Sequence, residues 1–151
     1  METESLTKTP EQTKKLGQLL AKEVLKNPRK KRAFVLALKG DLGGGKTTFL
    51  QGFALALGLK QRITSPTFII VKRVSLNKGQ FRDFYHIDCY RIKEPKELTA
   101  LGFREILAFP QNIVAIEWAE RVEKILPKDT MTIEFEFIDQ QTRKITKRWK
   151  K

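Results

Sequence analysis

AFVLALKGDLGGGKTTFLQGFALALG, residues 33–58, runs from an unbroken apolar stretch through three consecutive glycines into a second apolar-rich segment. Residues 33–39 are continuous and β-branched at the centre, which predicts a strand buried on both faces. Phe49, Leu50, Phe53 and Leu57 recur along one helical side, and Gly58 is a natural stop. Between them, Gly40 to Thr47 fits G-x-x-x-x-G-K-[ST] at every required position. Glycines in series lose much conformational entropy on folding and fill no core. Their return is a backbone bare enough for several N–H groups to converge on one phosphate, next to a helix N-terminus that favours negative charge. In this pattern the Lys46 ammonium reaches the β- and γ-phosphates, and the Thr47 hydroxyl is a Mg²⁺ ligand.

Outward from this loop the elements alternate. Residues 9–27 read as a helix, with Thr9 as N-cap, Pro10 in the first helical position and Gln12 completing a capping box. Leu16, Leu19, Leu20, Val24 and Leu25 follow at helical spacing. TFIIVKRVSL and QFRDFYHIDCYRI flank the turn at 77–79 as a hairpin, and EPKELTALGFREIL reads as helical pieces. NIVAIEW (112–118) is a second buried strand, and MTIEFEFI and RKITKRW alternate about DQQT as a C-terminal hairpin. The expectation is an α/β fold: one P-loop NTPase-type domain over residues 1–151, its mixed, partly parallel central sheet flanked by helices.

Composition agrees with a folded chain of this kind. The 151 residues are 40% hydrophobic, enough for one core, and no apolar run approaches the ~18 residues of a membrane span. The polar start has no apolar h-region, which argues against a secretory signal. The lone Cys89 excludes an intrachain disulfide framework and suits a reducing cytoplasm. A formal charge of +13 favours polyanionic company, concentrated at KNPRKKR (26–32) and RKITKRWKK (143–151). Simple solubility accounts for it equally well at this stage.

A phosphate loop needs an acid at the end of a neighbouring strand, to hold a Mg²⁺ shell or to place water. Glu117 stands where the apolar run Ile113–Ile116 ends, at the carboxyl end where α/β sites form. Asp88 is the second candidate. In HIDCYR, alternation puts His86, Asp88 and Tyr90 on one strand face, and two ligands alone do not make a zinc site. A plain polar strand face explains Asp88 as well. TSPTF (64–68) offers Thr64, Ser65 and Thr67 in the manner of a switch loop, against a default of ordinary turn chemistry. NKGQ (77–80) begins like a guanine-reading element, but Gln80 stands in place of the acid.

GDLGGGKTTF, SPTF, HIDCYR, ELTALGFRE and IEWAER, in that order over residues 10–145, resemble the TsaE (YjeE-type) ATPase family of tRNA threonylcarbamoyladenosine biosynthesis. The resemblance implies a weak Mg²⁺-dependent ATPase in the cytoplasm, acting with the partner proteins TsaB and TsaD on adenosine 37 of ANN-decoding tRNAs. By the same resemblance, Leu42, Gly43, Gly44, Gly45, Lys46, Thr47 and Thr48 hold ATP, with Thr67 in the switch-like segment and Arg143 on the adenine side. Thr47 and Glu117 hold the metal, and Lys46, Asp88 and Glu117 carry catalysis. Contact with tRNA is expected through the assembly, and none with a membrane.

Two other readings fit a phosphate loop. A small-molecule kinase would carry an arginine-rich lid, and none is evident between residues 93 and 128. A nucleotide-gated binding module would keep its function when hydrolysis is removed.

Overall fold

The computed structural model describes residues 1–40, 45–59 and 70–149. Its seven-stranded sheet is built around β2 (Phe34–Gly40), which pairs in parallel with β5 (Asn112–Glu117) on one side and β6 (Met131–Phe137) on the other. β2 and β5 both read as unbroken apolar runs because each lies inside the sheet and faces a core on both sides. Phe34, Leu36 and Leu38 point toward α1 (Pro10–Leu25) and α2 (Lys46–Ala56), packing with Phe49, Phe53 and Leu20. Val35 and Ala37 point to the opposite core, which holds Ile87, Phe103 and Ile116. The second layer consists of α3 (Pro95–Thr99), α4 (Phe103–Leu107) and a 3₁₀ segment, Ala119–Ile125.

Beyond β5 lie β4 (Phe81–Asp88), parallel to it, and β3 (Val71–Lys78), antiparallel to β4. β7 (Arg143–Arg148) pairs antiparallel with β6, and β1 (Glu2–Thr7) closes that edge, giving the order β1-β7-β6-β2-β5-β4-β3. The sequence reading missed β1. An edge strand whose alternate positions are Glu2, Glu4 and an exposed Leu6 has no hydrophobic period to detect. Its partners are charges: Glu4 with Lys144 at 2.9 Å and Glu2 with Arg148 at 2.7 Å, while Arg148 also reaches Glu134 and Lys147 pairs with Glu23. Lys144, Lys147 and Arg148 of the C-terminal basic cluster are therefore engaged by acids at this edge.

α1 begins as its capping residues require. The Thr9 hydroxyl accepts from the Gln12 N–H at 3.1 Å, but the Gln12 side chain accepts from the Lys8 N–H, one residue before the N-cap. The buried stripe is Thr13, Gly17, Leu20, Ala21 and Val24, and Leu19, expected inside, is exposed. α1 and α2 meet almost backbone to backbone. A Cβ on Gly17 would fall 2.1 Å from the Phe49 carbonyl oxygen, and one on Gly52 would fall 1.9 Å from that of Lys14. No helix among the described residues is long and apolar enough to cross a membrane.

Candidate functional site

Four parallel strands point their carboxyl ends at the same pole, and the glycine loop leaves from the central one. β2 ends at Gly40, whose N–H donates to the Glu120 carboxylate at 3.3 Å, and α2 starts from Gly45 in the left-handed region at φ 98°. The first residue of α2 is Lys46. Its side chain is buried, donates to the Gly40 carbonyl, and holds its ammonium 3.9 Å from the centre of the Trp118 ring.

One strand over, Glu117 ends β5 and is 3% exposed, far from the open glutamate that a strand end commonly carries. Its carboxylate accepts the Thr47 hydroxyl at 3.3 Å and lies 2.7 Å from His86 Nε2. His86 is as buried as its partner, so the imidazole fixes the orientation of the carboxylate from the core side and leaves it directed at α2. Asp88, at the end of β4, is the register partner of Glu117. Burial holds the Asp88 carboxyl above the ordinary aspartate range and the neighbouring Glu117 charge adds to it, opposed by the Tyr90 N–H donated at 2.9 Å. Cys89 beside it is a core residue, its thiol pushed up to about 12 chiefly by burial.

The cavity beside Lys46 and Thr47 measures about 430 Å³. Glu117, Trp118, Gly45 and Thr48 line one side. Thr7 to Pro10 and Thr13, where β1 passes into α1, line another, and Gln140, Gln141 and Arg143 of the β6–β7 turn complete it. A 2.7 Å hydrogen bond between the Thr7 and Thr13 hydroxyls ties the strand to the helix under this wall. Arg143 donates to the Asp139 and Thr142 carbonyls at 2.8 and 3.2 Å, and its guanidinium lies over the Phe137 ring.

The structure thus gathers Gly45, Lys46, Thr47, Thr48, Glu117 and Arg143 around one cavity and sets Asp88 beside Glu117. Leu42, Gly43, Gly44 and Thr67 lie outside the described residues. Tyr90 does not share the strand face of His86 and Asp88, because β4 stops at Asp88. The Tyr90 ring turns instead onto Trp118, with centroids 5.1 Å apart. Sequence reasoning missed the β1–α1 wall, whose signal was the capping pattern at Thr9, and the glutamines of the DQQT turn. Among the described residues, no group of three or more His, Cys, Asp or Glu is arranged to hold a metal without other donors.

A mixed, partly parallel sheet flanked by helices, with Asp88 and Glu117 ending adjacent strands beside the start of α2, defines an α/β protein with its candidate site at the strand carboxyl ends. Within that class the match is specific: residues 7–145 fit the family model described as "Threonylcarbamoyl adenosine biosynthesis protein TsaE", and the chain belongs to the TsaE family. The tRNA threonylcarbamoyladenosine biosynthesis protein TsaE of Bacillus subtilis is 38% identical over 140 residues, covering 93% of this chain and 81% of that relative. The protein of the same name from Borreliella burgdorferi is 42% identical over 97 residues, 64% of this chain and 68% of its own. Among solved structures, the crystal structure of Bacillus subtilis YdiB matches with a TM-score of 0.71 at 35% identity, covering 97% of this chain and 84% of that one.

Proposed function

We propose that this protein is a Mg²⁺-dependent ATP-binding protein and weak ATPase that supports the threonylcarbamoyl modification of adenosine 37 in ANN-decoding tRNAs, with TsaB and TsaD as partner proteins. The observation that carries this is the Thr47–Glu117 contact beside the Lys46 ammonium, at the start of α2. A hydroxyl and a carboxylate converging at 3.3 Å are hard oxygen donors, which suit Mg²⁺ and would hold it here. When bound, the ion would supply neutralisation of phosphate charge.

The chain's own groups do the rest. The α2 N-terminus and Lys46 attract the phosphates, and the Lys46 ammonium leaves the Gly40 carbonyl to meet them. His86 keeps Glu117 aimed, and Asp88, held near the site by β4, is the acid that orients water for in-line attack. The turn at Gln140–Arg143 and the β1–α1 wall enclose the base and ribose side of the cavity. Low activity alone follows if a cation completing the transition-state clamp comes from a partner.

The deciding experiment is Mg²⁺-dependent phosphate release from ATP by wild type and Lys46→Ala, alone and with purified TsaB and TsaD. Weak turnover that rises with the partners and vanishes in the variant is expected. Turnover only in the presence of a hydroxyl-bearing acceptor would replace this reading with phosphoryl transfer.

A further inference from the structure

The charge of +13 is not spread evenly, and the ion pairs locate its excess. On the β1–β7 edge each basic side chain of β7 that carries a pair meets an acid. At the pole opposite the cavity, where the parallel strands begin, the balance reverses. Lys30, Lys31 and Arg32 precede β2, Lys78 and Arg82 flank the β3–β4 turn, and Lys128 precedes β6. All six are exposed, and none is in an ion pair among the described residues. Three acids on neighbouring segments are engaged by other cations: Asp129 by Arg29, Asp83 by Arg73 at 2.9 Å, and Glu23 by Lys147.

These cations come from three segments held together as one surface. Gln80 Nε2 donates to the Arg29 carbonyl at 2.9 Å and to the Pro110 carbonyl at 3.3 Å, and its side-chain oxygen accepts from the Arg29 N–H. Arg29 in turn pairs with Asp129, which fixes the segment carrying Lys128. The Ala33 N–H donates to the Leu107 carbonyl at 3.0 Å, bringing Phe109, 56% exposed, to the rim. Like charges held together without counter-charges repel and lower stability, so a surface of this kind is explained by a polyanion that neutralises it. Cations on turns with one open aromatic ring fit a nucleic-acid backbone plus one unstacked base. They do not form the apolar helix face that a membrane surface would require.

We infer that this basic pole is a docking surface for the phosphate backbone of tRNA, separate from the nucleotide cavity at the other end of the sheet. The choice of RNA rests on family membership and not on ATP chemistry, so the two readings fail separately. The test is binding of an unmodified ANN-anticodon tRNA transcript, across a salt series, to the full chain, to Lys30→Gln/Lys31→Gln/Arg32→Gln, and to the charge-matched control Lys15→Gln/Lys93→Gln/Lys124→Gln. ATP binding is measured in all three proteins. The pole variant is expected to lose at least about tenfold in tRNA affinity and to bind with a salt slope shallower by roughly two, while its ATP binding and the control stay at wild type. Equal losses in both triple variants, unchanged tRNA binding by the pole variant, or capture by phosphatidylserine vesicles without tRNA binding would overturn the inference. A Phe109→Ala variant reads the aromatic separately: it should weaken tRNA binding severalfold without changing the salt slope.

Discussion

The Lys46 ammonium rests between the Gly40 carbonyl and the face of Trp118, 3.9 Å from the ring centre. Trp118 pays for that position in backbone geometry, since it is the non-glycine residue with a left-handed φ, 56°, among the described residues. Tyr90 backs the indole, and Arg121 lies 5.6 and 5.5 Å from the Tyr90 and Trp118 rings. A cation over an indole gains ~0.5–2 kcal/mol, more as water is excluded. Under the proposed function, an ammonium already held in the cavity reduces the ordering cost of binding ATP. Trp118→Leu is therefore expected to weaken ATP binding by roughly three- to tenfold, whereas Trp118→Phe, which keeps a π face, stays within about threefold. Isothermal titration calorimetry measures both, and wild-type affinity in the leucine variant would remove this role for the ring.

The His86–Glu117 contact gives a stability prediction. Both side chains are buried, and the 2.7 Å contact with His86 is shorter than the 3.3 Å hydrogen bond that the Glu117 carboxylate accepts from Thr47. His86→Phe keeps the volume but leaves a buried acceptor without its closest donor, at a cost of about 2–3 kcal/mol. Urea unfolding in chelator is the measurement. Because the freed carboxylate is also no longer aimed, phosphate release should drop by at least about tenfold. A variant as stable as wild type would mean that the imidazole contributes nothing to holding Glu117.

How much of this was legible in the sequence follows from what each residue is for. Phe34–Leu38 and Ile113–Ile116 must be apolar on both faces, so the central strands declared themselves, and the start of α2 at Lys46 was readable from the glycine-lysine-threonine spacing. Glu117 was legible from its position after an apolar run. Its burial and its tie to His86 were not, because they depend on the parallel register of β4 on β5, which pairs Asp88 with Glu117 and His86 with Ala115. β1 was invisible because its partners are charges across an edge. The close approach of α1 and α2 was hidden for a related reason: Gly17 and Gly52 matter through what they lack, and no periodicity reports an absent Cβ.

That approach has a measurable consequence. Either Gly17→Ala or Gly52→Ala drives a methyl into backbone carbonyl on the facing helix, which cannot rotate away as a side chain can. The helices must separate, at a cost of about 3 kcal/mol or more. α1 also carries Thr9, Pro10 and Thr13 into the cavity wall, so ATP affinity should fall with stability. Thermal melting with and without ATP checks this, and full stability in either variant would contradict the packing.

Asp88 supplies a prediction with a definite pH sign. Its folded carboxyl is held above the ordinary aspartate range, chiefly by burial, so ionisation destabilises the folded protein relative to the unfolded chain. That penalty is absent at pH below the unfolded value, grows as pH rises toward the raised folded value, and is complete above it. Asp88→Asn keeps an acceptor for the Tyr90 N–H and removes the charge beside Glu117. In chelator and without nucleotide, the variant is expected to melt above wild type at pH 8, with the gap closing as pH falls into the ordinary carboxylate range. The same substitution should abolish most Mg²⁺-dependent phosphate release if Asp88 is, as proposed, the acid that orients water. A variant that melts lower than wild type at pH 8 would show that the Asp88 charge stabilises this pole, and the burial argument would fall with it.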